Sequence, residues 1–378
     1  MGYRVHSATH AGTGQRAPMA DQNTYAYFGE AKTPRLAAFA AELGAALERS
    51  GFVHVESTAN AQLVLNLIVP DEARAFRRHS KGTFAVAIHE APTVPDDVLK
   101  LNYPLLVKAL CNQVLCYVPD DGVFFTTPER GHYTESAHDG ERLLAERVIA
   151  RLVPLATARL VIDNTFETDL EPELWDGDEI TQDVSDAGAR LGDLDLLPAP
   201  FPVEELLDER ALRAVQLLYG IGGLSYGNLS ARKDENRFWM SASGVDKSDL
   251  RKIGRDILLV SDYDDEAGRI VISVPPGIKP RRVSVDAIEH WMIYQAHPGV
   301  GAILHVHCWM EGIPATDINF PCGTEELAVS VADLLAEQPD PEHAVIGLRN
   351  HGVTVTGQSL TEILDRIEPR VIRQVPMS

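Results

Sequence analysis

Hydrophobic and polar residues alternate with two different periods along residues 35–160, which predicts helices and strands in turn. The segment RLAAFAAELGAALERSG, from Arg35 to Gly51, has apolar residues at helical spacing and ends at a glycine that favours a helix stop. Further strands are predicted at 52–56, 62–69, 83–90 and on both sides of the turn at 120–122, and further helices at 71–79, 98–110 and 140–160. This order indicates an α/β domain.

The segments that flank this first domain have a different composition. Residues 1–34 are rich in Gly, Ala, Thr, Gln and Pro without periodicity, so we predict a flexible leader. Residues 161–200 carry 12 acidic residues and a single basic one, Arg190, which is typical of a solvated linker. The helical pattern of Pro202–Gly220 then predicts the first helix of a second domain, residues 201–378.

Two histidines of this second domain lie two residues apart in an apolar, strand-like run, GAILHVHCWM. Because side chains alternate faces along a strand, His305 and His307 point the same way and could bind one ion. His351, at the end of the run AVIGLRN, offers a third nitrogen. Three neutral imidazoles with an open fourth position are typical of catalytic zinc sites. A histidine pair also occurs without metal, with each ring satisfied by a hydrogen bond, and that alternative stays open here.

Several further segments accompany the histidines in a fixed order. They are SYGNLSAR (225–232), SASG (241–244), VSVDAIEHWMIYQAHP (283–298), AILHVH (302–307), FPCGTEELA (320–328) and RNHG (349–352). Together they resemble the class II aldolase/adducin family over residues 209–368, whereas the first domain resembles no family that we recognise. The resemblance implies a central mixed β-sheet flanked by helices, a divalent metal ion such as Zn²⁺ on His305, His307 and His351, and a homo-oligomer, for example a tetramer.

The same resemblance implies roles for other residues. Asn228, Ser243, Gly244 and Ser284 would bind the phosphate or acidic end of the substrate, and Asp286 would be the acid/base residue. Family aldolases have Glu at that place, whereas the pentulose-phosphate epimerase branch has Asp. The alternatives are a structural turn for the glycine-rich segment and a helix-start residue for Asp286. The loop GIGGLS follows a helix and not a strand, which argues against dinucleotide binding.

The implied activity is that of a metal-dependent, aldehyde-lyase type enzyme of carbohydrate metabolism. It would cleave a C–C bond in a hydroxy-carbonyl, sugar-phosphate-like substrate through a metal-stabilised enediolate. An epimerase, a dehydratase, a decarboxylase or a non-catalytic adducin-like interaction module are the alternatives. Family aldolases also use a tyrosine from the C-terminal region, but no tyrosine follows Tyr294. The second acid/base group is therefore expected from elsewhere, for example from the N-terminal domain.

Composition limits the classes of partner that the protein is expected to bind. A net charge of −21 without a large basic patch argues against nucleic acid and anionic membranes, which leaves a small-molecule substrate and other copies of the chain. Four cysteines are too few and too irregular for a disulfide framework, which favours a reducing compartment. Since no signal peptide and no membrane-spanning run are evident, we expect a cytoplasmic protein.

Overall fold

Two mixed β-sheets with helices packed on them form the fold. The computed structural model describes residues 23–80, 82–127, 131–198, 203–213 and 225–378. Within these residues one sheet has seven strands and the other has eight. The predicted α/β class is confirmed, and each of the two predicted halves of the chain provides most of one sheet. None of the helices in this part of the chain has both the length and the apolar character that a bilayer span requires.

The N-terminal sheet has the strand order β2-β1-β3-β4-β5-β6-β7. Its strands are β1 (Thr24–Gly29), β2 (Val53–His54), β3 (Leu63–Leu67), β4 (Phe84–Glu90), β5 (Gln113–Val118), β6 (Gly122–Thr127) and β7 (Gly131–Ser136), and its helices are α1 (Pro34–Arg49), α2 (Val98–Ala109) and α3 (Glu141–Thr157). The pairs from β2 to β5 are parallel and the last two are antiparallel. Helices α1 and α3 cover one face and α2 covers the other, so the central strands are buried on both faces, as a parallel sheet requires.

Three predictions for this half need correction. Strand β1 lies within the segment predicted as a leader, where it pairs with β2 and β3; residues 1–22 lie outside the described part. The alternation of Tyr25 and Tyr27 with Ala26 is the local signal that was missed. The helix predicted at 71–79 is only a short 3₁₀ turn, Pro70–Glu72. Strand β7 was not predicted because GHYTES has few apolar residues.

The C-terminal sheet has the strand order β14-β15-β13-β9-β10-β11-β12-β8. Its strands are β8 (Asp163–Glu167), β9 (Asn228–Arg232), β10 (Phe238–Ser241), β11 (Ile257–Asp264), β12 (Arg269–Ser273), β13 (Ala302–Val306), β14 (Val345–Leu348) and β15 (Gly352–Gly357). Its helices are α4 (Glu179–Asp193), α6 (Ala287–Ala296), α7 (Glu325–Ala336) and α8 (Leu360–Ile367), while α5 (Val203–Leu206) lies against the other domain. Strand β13 is central, between β15 and β9, and all five of its residues are buried.

The acidic segment differs from the predicted linker. Strand β8 pairs in parallel with β12 at the edge of the C-terminal sheet. Helix α4 begins with a capping box at Asp178 and buries Val184 and Leu191 in the C-terminal core. The acidic side chains of α4 therefore form the solvent face of an amphipathic helix. The linker predicted for 161–200 is thus replaced, over its described residues, by elements of the second domain.

After α4 the chain returns to the first domain at residues 203–213. Leu207 is buried in the core cluster beneath α2, and Leu206 and Leu212 pack against the same cluster. The helix predicted for Pro202–Gly220 is described over residues 203–213, where it is interrupted: α5 ends at Leu206 and helical residues resume at Glu209. These residues pack on the N-terminal domain and not, as predicted, on the second domain. Near the other end of the chain, Met377 packs against the N-terminal core.

Candidate metal centre

Three histidines converge at the centre of the C-terminal sheet. His305 lies on β13, His307 follows the end of that strand, and His351 lies in the turn between β14 and β15. The turn is tight because Asn350 adopts a left-handed conformation, with φ of 56°. All three rings are buried, and their ligand atoms lie within 4.8 Å of one another. The structure therefore brings together the three residues predicted as metal ligands.

The donor geometry fits a divalent metal ion. The Nε2 atoms of His307 and His351 are 3.1 Å apart. Two nitrogens bound tetrahedrally to one zinc ion at ~2.0–2.1 Å lie roughly 3.3 Å apart, close to this separation. The Nδ1 atom of His305 lies 3.1 Å from the carbonyl oxygen of Val353. A proton on Nδ1 that is donated to this carbonyl leaves Nε2 as the ligand atom, the usual arrangement around bound metals.

Asp286 is held next to the histidines through the β9–β13 register. Asn228 lies opposite His305 across these two strands. Its Nδ2 atom donates a hydrogen bond of 2.8 Å to Oδ2 of Asp286, which directly precedes α6. The other oxygen of Asp286, Oδ1, is buried and accepts no hydrogen bond from the described residues. In this arrangement Asn228 orients the carboxylate, a different task from the predicted contact with a substrate phosphate.

The remaining predicted substrate residues lie in the turn after β10 and in the segment that leads to Asp286. Ser243 and Gly244 form the turn after β10, and the backbone N–H of Ser284 donates to the carbonyl oxygen of Ser241. The turn and the Asp286 segment are thus neighbours. An open cavity of about 390 Å³ adjoins Gly244, and its lining includes four cationic side chains, Arg251, Lys252, Arg255 and Arg281. Phosphate binding by Asn228, Ser243, Gly244 and Ser284 stays a prediction.

One glycine of the predicted loop has a clear structural role. Gly227 has a φ of 73°, and a Cβ atom at this position would come within 2.4 Å of the carbonyl oxygen of His305. Only glycine lets the backbone just before β9 approach β13, the strand of His305, this closely. The other loop glycines, Gly220, Gly222 and Gly223, lie outside the described residues.

The sequence reasoning missed a lysine beside Asp286. The side chain of Lys247 is 4% exposed, and its Nζ atom donates to the carbonyl oxygen of Ser225 at 2.6 Å. Burial lowers the pKa of Lys247 to about 8, although the nearby charges of Asp286 and Asp246 act in the opposite direction. The run VDKSDL looks like a solvated surface segment, so it gave no signal of this burial.

A second missed residue is Glu289, on the first turn of α6. Its side chain is fully buried, and Thr354 Oγ1 donates a 2.5 Å hydrogen bond to Oε1. Burial, and after it the negative charge of Asp286, raise the pKa of Glu289 well above its ordinary value. An acidic residue inside the apolar helix AIEHWMIYQA was the available signal. A third missed residue, Cys322, has its Sγ atom 3.4 Å from Nε2 of His351.

Residues 210–311 match the family model described as the Class II Aldolase and Adducin N-terminal domain. This part of the chain is a class II aldolase/adducin domain. The match includes Asp286 and the first two histidines and ends before His351. The predicted family of the C-terminal half is confirmed, and the N-terminal sheet lies outside the matched range.

Curated relatives of the aldolase/adducin domain are named methylthioribulose-1-phosphate dehydratase. The protein from Pseudomonas aeruginosa (strain LESB58) is 36% identical over 105 residues, which cover 27% of this chain and 45% of that protein. The protein from Klebsiella pneumoniae (strain 342) is 24% identical over 196 residues, covering 42% of this chain and 90% of that protein. The chain thus spans about half the length of the Pseudomonas relative. Among solved structures, an L-fuculose 1-phosphate aldolase covers 51% of this chain and 81% of its own, with 20% identity and a TM-score of 0.35, too low to support an argument about function.

Proposed function

We propose that the aldolase/adducin domain is a divalent-metal-dependent lyase that acts on a small hydroxy-carbonyl compound of the sugar-phosphate type. One observation carries the proposal: three buried histidines from two distant segments converge, and Asn228 connects this cluster to the carboxylate of Asp286. A structural interaction module has no need for such a set of ligands. The relatives' names, which describe lyases of a sugar-phosphate compound, are consistent with this class of enzyme.

The chemistry follows from the donor set and from the position of Asp286. A divalent ion on His305, His307 and His351 would polarise a substrate carbonyl as a Lewis acid. Asp286 would accept a proton from the substrate. If this proton comes from the carbon next to the carbonyl, the electron pair of the C–H bond would form an enediolate. If it comes from the hydroxyl group one carbon further on, that oxygen would become a carbonyl and the electron pair of the broken C–C bond would form the enediolate. Asn228 keeps one carboxylate oxygen fixed, so Oδ1 is the atom that takes the proton.

The two proton removals lead to different bond cleavages. The sequence resemblance led us to predict C–C cleavage, as in an aldolase. The curated relatives favour the second candidate, loss of water from the carbon beyond the enediolate, because they are named dehydratases. Replacement of the family's Glu by Asp286 leaves epimerisation as an outcome of the same test. Zinc is the ion we propose, while a homo-oligomer and a cytoplasmic location stay predictions.

Metal content tests the proposal first. The purified full-length chain is expected to hold close to one divalent ion per chain by elemental analysis, and the His305→Ala/His307→Ala variant is expected to lose it. His343→Ala is the matched control, because His343 is a partly exposed histidine paired with Asp340 outside the cluster. A folded wild-type chain that neither contains nor takes up a divalent ion would refute the proposed function.

Product analysis then identifies the reaction. The metal-loaded protein is incubated with a panel of ketose 1-phosphates that includes methylthioribulose 1-phosphate. An aldehyde fragment indicates C–C cleavage, a dicarbonyl product with all carbons retained indicates dehydration, and an isomer indicates epimerisation. Asp286→Asn should abolish each of these while metal content is unchanged. Activity that survives in this variant would remove Asp286 from the mechanism.

A further inference from the structure

We infer that Glu289 is a positioning residue of this site: a neutral carboxylic acid buried behind Asp286, which keeps the site at a single carboxylate charge. The inference rests on the proposed role of Asp286 as the base. Glu289 is hydrogen-bonded to Thr354 and interacts with the charge of Asp286, so we assign it an action through Asp286 and not on the substrate itself.

The helix register brings the two carboxyl groups together. Asp286 directly precedes α6 and Glu289 lies three residues later, so both side chains leave the same face of the first turn. Glu289 is 1% exposed. Its hydrogen bond comes from Thr354, which lies directly opposite His305 in the β13–β15 register. Glu289 therefore lies between the helix that carries Asp286 and the strand pair that carries the metal ligand.

The hydrogen bonds indicate where the proton of Glu289 lies. Oε1 accepts from the Thr354 hydroxyl, whereas Oε2 is buried and bonds to no atom of the described residues. Oδ1 of Asp286 is also buried with no such partner. Two ionised carboxylates this close in a dry interior would repel each other strongly. A proton on Oε2 of Glu289 removes this repulsion and leaves the charge on Asp286.

The other charges near the site support the same distribution. The charges of Asp286 and Asp246 act on the ammonium group of Lys247, whereas Glu289 is not among the groups that act on it. His290, the next residue of α6, is neutral because burial, together with His305, lowers its pKa to about 3. The buried residues of α7, which packs against α6, are Leu327, Ala328, Val331 and Leu335, and those of β11 are Ile257, Leu258, Leu259 and Val260. The described surroundings therefore give Glu289 no cation of its own.

Infrared difference spectroscopy tests the inference without turnover. The metal-free full-length chain is compared with Glu289→Gln, which keeps an acceptor for Thr354 but carries no titratable proton. At neutral pH the difference spectrum should contain the C=O stretch of a protonated carboxyl group in the wild type only. Glu337→Gln, which changes an exposed carboxylate on the helix C-cap of α7, is the matched control and should give no such band.

A second variant, Asp286→Asn, measures the charge interaction between the two carboxyl groups in a chain that retains Glu289. In Asp286→Asn the repelling charge is gone, so the pH at which the protonated band disappears should fall by about one unit or more. With ¹³C-labelled glutamate carboxyl groups this shift is measurable even if Glu289→Gln does not fold. In the active enzyme, Glu289→Gln should change the pH dependence of kcat, which a purely structural role would leave as in the wild type.

Two results would overturn the inference: a Glu289 that is ionised at neutral pH, or an ionisation midpoint that Asp286→Asn does not move. The spectra need neither substrate nor metal. A protein with the expected band but no activity therefore refutes only the proposed function, while an active enzyme without the band refutes only the role of Glu289.

Discussion

Replacing Lys247 with methionine removes a buried ammonium group at nearly constant side-chain length. Two consequences follow from its surroundings. The hydrogen bond to the carbonyl oxygen of Ser225 is lost, which costs about 1–2 kcal/mol at any pH. The unfavourable burial of the charge is also lost, and this contribution depends on pH. The two effects have opposite signs near neutral pH and can be separated by titration.

The sign and size of the pH-dependent part follow from the pKa of Lys247, which falls from an ordinary value of 10.5 to about 8 in the folded chain. Below the folded pKa, both states carry the proton and the free energy of unfolding does not change. Between the two values the unfolded chain binds more protons, so stability rises with pH. The full rise is about 3 kcal/mol, since one pKa unit corresponds to ~1.4 kcal/mol.

Urea unfolding of the metal-free protein at about pH 7 and about pH 10.5 measures this rise. The stability of the wild type minus that of Lys247→Met should increase by about 3 kcal/mol between these conditions. Lys252→Met, which removes an exposed lysine five residues further on, should show no such change. Parallel pH profiles for the wild type and Lys247→Met would refute the conclusion that this ammonium is buried at a cost.

Further predictions concern residues around the cluster. Thr354→Val should lower the free energy of unfolding by about 1–3 kcal/mol, because the Glu289 carboxyl loses its donor; Thr354→Ser keeps the hydroxyl and should cost about 1 kcal/mol, as measured by urea titration. Gly227→Ala should displace the strand of His305 and reduce bound metal in elemental analysis, and full occupancy would contradict this. Cys322→Ser should retain the ion, since three imidazoles suffice; its loss would identify the thiol as a fourth ligand.

The metal ligands could be predicted from sequence because the relevant signals are local. A two-residue spacing on an apolar strand fixes the common direction of His305 and His307, and the ordered motifs supplied His351 and Asp286. The α/β class followed from periodicity for the same reason. Each of these inferences needs only a short window of sequence around the residue concerned.

Burial of charged residues could not be predicted in this way. Lys247 and Glu289 are enclosed by segments distant in the chain: Lys247 bonds to Ser225, and Glu289 to Thr354 of β15. The linker predicted for the acidic segment was wrong for a related reason. Its average charge is that of a linker, but the few apolar residues of α4 are placed on one face, and only the strands they cover explain their position.

The position of β8 and α4, which precede residues 203–213 but belong to the second domain, has a consequence for how the protein can be divided. A cut at residue 200 would remove β8 and α4 from the second domain, uncovering the edge of β12 and the core residues beneath α4. An uncovered edge strand can form backbone hydrogen bonds with a strand of another molecule, which favours aggregation. We therefore expect residues 201–378 alone to fold poorly, because β8 and α4, which complete the sheet and core around the histidine cluster, precede residue 200.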